Sequence, residues 1–284
     1  MNRQSSCFSI TPIFASYDGQ ALLIIHSHIT HLLITPLLIT FLLITPLLAF
    51  TPSESAYVLE DGERAVGIGQ SMRYGLGNGL ELSTHPLLFF IMPNATIKKE
   101  RGEILGWDWS CRHHVNYPTL AMNIVQKEGI FGLIADDPDI NKIPQLLYWH
   151  SELLASRSFD RTLITSKVGL ALGLGGTDMD KRLWIDYPIA FPRMGVLFNG
   201  WGMNVGADLR YTFNNGWDLL IDGDYLTLPG NDYSSFLEHK TLLTWYKSDK
   251  IHLSGGYLLT RGEYQSGDQW LIFPLLDVVW NWRK

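Results

Sequence analysis

The sequence predicts an all-β protein, an antiparallel transmembrane β-barrel of ten to twelve strands, with twelve preferred. Three observations predict it. Apolar and polar residues alternate over segments about twice the length of an ordinary strand. Aromatic residues gather at the ends of those segments. Charged residues make up only 18% of the chain, below the roughly 25% of an average soluble domain. Mean hydropathy is nevertheless +0.04, far below that of a chain crossing a membrane with continuous apolar helices.

The clearest element is the pair of arms in Gly200–Pro229. Trp201, Met203, Val205, Ala207, Leu209, Tyr211 and Phe213 share one strand face, and Asp208 and Arg210 lie on the other. After Asn214-Asn215-Gly216, whose residues suit a tight hairpin, Trp217, Leu219, Ile221, Gly223 and Tyr225 share a face, opposite Asp218, Asp222 and Asp224. Each arm runs to twelve residues or more, and a tilted strand needs about 9–11 to cross a bilayer.

From the N-terminus, residues 1–56 form one unit and 57–284 another. The stretch 21–50 is apolar, contains the near-repeat HLLITPLLIT and FLLITPLLAF, and gives way to small and polar residues at 51–56. It reads as an export signal, although Arg3 is its only basic residue. A retained membrane helix is the alternative, interrupted by Pro36 and Pro46. If the segment is removed, Cys7 goes with it, and Cys111 has no intrachain partner.

Alternation then recurs. Val66, Ile68, Met72, Tyr74 and Leu76 form a row in 63–76 that Gln70 interrupts. A strand follows at 79–85 and a weak one at 94–101. In 104–114, Leu105, Trp107, Trp109 and Cys111 oppose Asp108, Ser110 and Arg112. Further strands are expected at 145–157, 162–174, 234–247, 251–264 and 269–282. This makes eleven, whereas single-chain barrels of the bacterial outer membrane have an even number. Either 187–199 hides a twelfth, or 94–101 does not span. The long connections 115–143 and 175–199 fall on one side, expected to be extracellular, and the short turns at 158–161, 214–216 and 248–250 on the other.

The stretch RYGLGNGLELSTHPLLFFIMPNATIKK at 73–99 carries Arg73-Tyr74-Gly75-Leu76, then Leu80 through Pro86, then Pro93-Asn94. It resembles the N-terminal signature of a group of uncharacterised bacterial outer-membrane β-barrel proteins. The likeness is specific over those residues and loose beyond them. It implies a barrel in the bacterial outer membrane, brings no established activity, and offers no catalytic residue to carry over. Such barrels usually finish on an aromatic-ended strand that the assembly machinery reads; here Trp282 is followed by Arg283-Lys284.

Among candidate chemistries, Asp108, Arg112, Asp208, Arg210, Asp218, Asp222 and Asp224 are the ones that a barrel would use, as lumen-lining residues. An Arg or Lys on the lipid face at midplane costs about 2–4 kcal/mol, so such charges point inward. Cys111, His113 and His114 are metal-ligand types, but a strand puts His114 on the face opposite the other two. The acidic stretch 135–141 lacks the glycine and terminal glutamate of a calcium loop. GLALGLGG at 169–176 has no βαβ context for a dinucleotide. Ser235, Glu238 and His239 are hydrolase residue types, with Ser83 a second candidate nucleophile, but no nucleophile elbow accompanies them. A net charge of −6 gives nucleic acid no electrostatic attraction.

The expected function is passive: a small pore or a structural envelope protein of the outer membrane, with no cofactor and no metal. Its expected partners are outer-membrane lipid, the barrel-assembly machinery and a small-molecule solute. The alternatives are an outer-membrane hydrolase of lipase or deacylase type, a soluble lipocalin-like binder with its apolar faces inward, and an inner-membrane anchor with a periplasmic β domain.

Overall fold

The computed structural model describes residues 54–126, 134, 142–185, 188–213, 216–264 and 267–282. The apolar segment with His26, His28 and His31, the acidic stretch 135–141 and Asn214-Asn215 lie outside the described residues.

Twelve antiparallel strands close into a barrel in sequence order, the last pairing with the first. They are β1 (Arg64–Gly67), β2 (Met72–Gly77), β3 (Leu80–Thr84), β4 (Asn94–Ile104), β5 (Trp107–Asn116), β6 (Leu147–Phe159), β7 (Thr162–Leu174), β8 (Trp201–Thr212), β9 (Trp217–Thr227), β10 (Ser235–Ser248), β11 (Ile251–Tyr264) and β12 (Gly267–Trp282). Short turns at 78–79, 105–106, 160–161 and 249–250 lie at one end, together with the β8–β9 junction and the first and last strand ends. The connections 117–146 and 175–200 lie at the other. These are the expected periplasmic and extracellular ends.

The missing strand is a correction. Residues 63–76 are two strands, and Gln70, which interrupts the apolar row, sits in the turn between them. The stretch 94–101 is part of the eleven-residue β4. Of residues 187–199, the described 188–199 hold no strand but helix α2 (Phe191–Asn199), which follows the short helix α1 (Thr119–Val125) of the other long connection. Pro192 in the first turn and Gly200 at φ 85° mark the ends of α2. Apart from Arg193 and the terminal Asn199 its sequence is apolar, so no period distinguishes helix from strand. Such a helix is stable only when enclosed, and the barrel encloses it. The expected strand at 104–114 starts later, because Leu105 at φ 54° and Gly106 at φ 77° make the β4–β5 turn.

The apolar rows face outward. Along β8, Trp201, Met203, Val205, Ala207 and Leu209 are exposed, while Gly202 and Asp208 are buried. Along β7, Val168, Leu170 and Leu174 are exposed, and Thr165, Lys167 and Ala171 are buried. On β12, Trp270 stands near one end of the exposed row and Trp280 and Trp282 at the other, at the spacing of two membrane interfaces. This arrangement excludes the lipocalin-like alternative, whose apolar rows would be inside. Val168 sits at the middle of β7. Val168→Arg is expected to destabilise the barrel in lipid by about 2–4 kcal/mol, read from urea titration in vesicles.

Inside, the extracellular half is filled by an apolar core in which Phe191, Met194 and Leu197 of α2 pack against Tyr148, Phe236 and Tyr264 of the wall. Phe191 makes edge-on contacts with Phe236 and Tyr264, at 5.7 and 5.9 Å between ring centroids. Farther toward the periplasmic end, the inward residues of β6 (Glu152) and β10 (Glu238 and Lys240) are charged.

Candidate functional site

The charged interior follows from strand register. Arg112 of β5 stands directly opposite Glu152 of β6, and the two form a buried ion pair. Asp208 of β8 stands opposite Asp222 of β9, which stands opposite Lys240 of β10. Two carboxylates facing each other across a ladder repel. Lys167 of β7 relieves this by donating to Asp222 at 2.7 Å and to Asp224 at 3.1 Å. It also lies 2.8 Å from Asp208 without hydrogen-bond geometry, so that pairing is Coulombic. Gly206 makes the room: a Cβ there would lie 1.9 Å from Asp224 Oδ1 and 2.9 Å from Lys167 Cε. Lys240 adds an ion pair to Asp222 at 3.0 Å.

Two further pieces of chain close on this wall. From the extracellular side, Arg193 of α2 donates to both oxygens of Glu238, at 2.5 and 2.6 Å. From the periplasmic half, the segment 54–63 runs through the interior. Glu54 pairs with Lys240, and the Ala56 amide donates to Ser156 Oγ at 2.8 Å. Lys98 donates to the carbonyls of Ser55 and Tyr57, and the Leu59 amide donates to Glu81 at 2.9 Å. The Tyr57 hydroxyl donates to Asp108 at 2.8 Å. Burial, then that carboxylate, push the hydroxyl up to about 12. Glu54, Ser55 and Ala56, which the sequence reading groups with the export segment, are therefore buried inside the barrel.

The RYGL…LELSTHP…PN stretch holds the later part of this segment, from Leu59 to Glu63. Arg73 donates to both carboxylate oxygens of Glu81, at 2.9 and 2.6 Å, aiming Glu81 at the Leu59 amide. Gly75 lets the segment lie against the wall: Gly62 N donates to Gly75 O at 2.9 Å and Gly75 N to Glu63 O at 3.0 Å, and a Cβ would sit 1.9 Å from Glu60 O. Asn94 Oδ1 accepts from the His85 amide at 2.8 Å, fixing the β3–β4 connection. Burial holds the His85 ring below its usual range. Gly75→Leu is expected to lift the segment and break the hydrogen bonds of Leu59 and Gly62. A hydrogen bond exchanged with water nets about 0.5–1.5 kcal/mol, so those two amides should exchange about two- to tenfold faster in hydrogen-exchange measurements.

Of the seven charged residues singled out from sequence, Arg112, Asp208, Asp222 and Asp224 meet in or beside the ion-pair network. Asp218 accepts from Tyr246 at 2.6 Å, and Arg210, Asp218, Asp222 and Asp224 line one interior cavity of about 150 Å³. Asp108 stands apart, on Tyr57. Glu152, Lys167 and Lys240 were missed, although each alternates with outward neighbours as Asp208 does, and Glu238 was singled out only as a hydrolase residue type. Arg193 carried no such signal, because it lies on a helix in a stretch expected to be a strand.

The hydrolase types are not brought together. Glu238 is inward and held by Arg193, His239 faces the outer row beside Tyr257, and Ser235 contacts the Tyr225 hydroxyl at 3.0 Å. Ser83 is buried on the inner face of β3. Cys111 and His113 share one face of β5, with His113 on Ser151, whereas His114 is buried on the other face beside Thr96.

No protein-family model and no curated protein matches the chain. Among solved structures it is similar to the Pseudomonas aeruginosa outer membrane protein OpdK. One structure of OpdK has a TM-score of 0.34 at 10% identity, covering 78% of this chain and 57% of that one. An improved structure, of OccK1 (OpdK), and one of OpdK with vanillate each have a TM-score of 0.35 at 11% identity, covering 82% and 58%. The chain thus spans a little over half the length of these proteins, and a likeness this distant carries no functional weight. On its own geometry, the chain is a closed twelve-stranded antiparallel β-barrel with apolar rows outward, as a transmembrane barrel has, and a charged network inside.

Proposed function

We propose that the protein is a narrow outer-membrane channel for small solutes, closed in this conformation by the segment 54–63 and by α2. The observation that carries this reading is how the segment is held. Its anchors are ion pairs and single hydrogen bonds to Lys98, Lys240, Glu81, Ser156 and Asp108, not an apolar seam. Water entering the lumen replaces such contacts at small net cost, since a hydrogen bond exchanged with water nets only about 0.5–1.5 kcal/mol. The charged wall that remains can be hydrated and lets ions and polar solutes pass.

A structural envelope protein is the second reading, favoured by the apolar packing of α2. Single-channel recording in planar bilayers separates the two. A channel gives brief, small openings in the wild-type protein and larger ones when the segment is released; a structural barrel is silent in both. Lipid surrounds the outer rows in either case, and assembly by the barrel-assembly machinery, reading β12 and its terminal Trp282, belongs to the same proposal.

A further inference from the structure

Strand register builds the wall of the interior cavity row by row. Asp218 of β9 stands opposite Thr244 of β10, Thr244 opposite Ser254 of β11, and Ser254 opposite Asp277 of β12. All four line the cavity, toward the periplasmic end of their strands. The Thr244 and Ser254 hydroxyls are hydrogen-bonded to each other at 2.9 Å. The next inward row is apolar. Leu220 stands opposite Leu242, Leu242 opposite Gly256, and Gly256 opposite Leu275. Leu258 and Phe273, paired with each other one inward step farther, extend this apolar surface. A hydrophilic row with a carboxylate at each end thus borders an apolar shelf.

The two end carboxylates differ. Asp218 accepts from the Tyr246 hydroxyl at 2.6 Å, and Arg210, opposite Leu220, is its diagonal neighbour across the ladder. Asp277 meets no cation among the described residues. Its Oδ1 accepts from the amides of Gly69 and Val278, both at 2.9 Å, whereas its Oδ2 is buried and accepts no hydrogen bond. A buried carboxylate oxygen in that state is costly unless a donor reaches it.

The neighbouring cations are engaged elsewhere. Arg193 is held by Glu238, Lys240 by Glu54 and Asp222, and Lys167 by Asp208, Asp222 and Asp224. Six carboxylates, those of Glu54, Asp218, Asp222, Asp224, Glu238 and Asp277, line the cavity against three cations, Arg193, Arg210 and Lys240. Lys167 and Asp208 behind the wall add one charge of each sign and leave that surplus unchanged. The carboxylate oxygen of Asp277 calls for an N–H, the surplus for positive charge, and the shelf for hydrocarbon. The cavity, of about 150 Å³, accepts a benzene-sized body.

We propose that this cavity is a binding site for a small primary ammonium with an apolar body. The ammonium donates to Asp277 and the Ser254 hydroxyl, and the body lies on Leu242, Leu275 and Phe273. This names the solute class of the proposed channel and rests on that reading for passage, though not for binding.

The test titrates 2-phenylethylammonium calorimetrically into the folded protein in phosphatidylcholine vesicles, with empty vesicles as the blank. Phenylacetate keeps the ring and reverses the charge; methylammonium keeps the head and removes the ring. Heat-modifiable gel mobility confirms that each variant is folded. The site predicts that 2-phenylethylammonium binds at least about tenfold more tightly than either comparator, and that Asp277→Asn loses about tenfold or more, as removal of a charged hydrogen-bond partner does. Asp249→Asn, on the exposed β10–β11 turn at the same end, should bind like the wild-type protein. Equal binding of the three probes, no heat above that of empty vesicles, or wild-type affinity in Asp277→Asn overturns the site. If Asp277→Asn does not fold, the ranking of the three probes on the wild-type protein decides. A barrel silent in bilayer recordings that still ranks the probes this way loses the channel reading and keeps the site. One that conducts and binds the probes alike keeps the channel reading and loses the site.

Discussion

Lys167→Met is expected to destabilise the folded barrel by about 3–5 kcal/mol, the usual cost of removing one partner from a buried ion pair. Lys167 is almost completely buried and lies within 2.9 Å of Asp208, Asp222 and Asp224. Asp208 and Asp222 are direct cross-strand neighbours, so without the ammonium two carboxylates face each other with only Lys240 on Asp222 to compensate. Methionine keeps the apolar stem and removes the charge, so packing loss stays small. Urea titration in lipid vesicles, followed by tryptophan fluorescence and gel mobility, measures the change. Adding Asp208→Asn to Lys167→Met removes one of the opposed charges and should recover a substantial part of the loss. A loss below about 1 kcal/mol, the scale of a solvent-exposed pair, would mean that water already screens the network.

The second large effect concerns conductance. Replacing residues 54–61 by a glycine–serine stretch of equal length removes the Glu54 carboxylate and the Tyr57 hydroxyl, while the chain still reaches β1. Single-channel conductance is expected to rise several-fold and openings to become sustained. The anchors on the wall, Lys98, Glu81 and Lys240, remain, and each can take water in place of the segment. Gly75→Leu should act in the same direction and more weakly, because it displaces only the end of the segment near Glu60. If both variants conduct like the wild-type protein, the segment does not block the path and α2 alone closes it.

The barrel was legible in the sequence because a closed sheet in lipid imposes one rule on every strand. Apolar side chains must alternate with polar ones for the whole crossing; β8 obeys it throughout, and β7 and β9 obey it in their outer rows while admitting Leu163, Leu220 and Leu226 inside. β1 and β2 are too short to develop a row, so two strands and a turn passed for one strand with a flaw at Gln70. Helix α2 was illegible for the opposite reason. A helix enclosed by a barrel needs no polar face, and PIAFPRMGVLFN shows none apart from Arg193. Arg193 is itself the residue that ties the helix to the wall.

Half of the interior network could be read, and half was passed over. Asp208, Asp222 and Asp224 stand out because carboxylates on the polar rows of two successive strands demand compensation. Their partner Lys167 is a lone lysine within TLITSKVGLALGL, where it reads as an ordinary polar position. The register that puts Lys167 beside three aspartates is a property of paired strands and is not written in any one of them. The passage of residues 54–63 through the lumen is equally invisible locally. It depends on Gly75 and Glu81, which a strand pattern alone reports as a small residue and a polar one.

The account's central claim is that the apolar rows meet hydrocarbon and the charged rows meet an enclosed, hydrated interior. Spin labels placed one at a time from Met203 to Leu209 of β8, in the protein reconstituted in phospholipid vesicles, test it most directly. Accessibility to oxygen, which concentrates in the hydrocarbon, should peak at 203, 205, 207 and 209 and fall at 204, 206 and 208. A profile without this two-residue period, or one with its maxima at 204, 206 and 208, would contradict the claim.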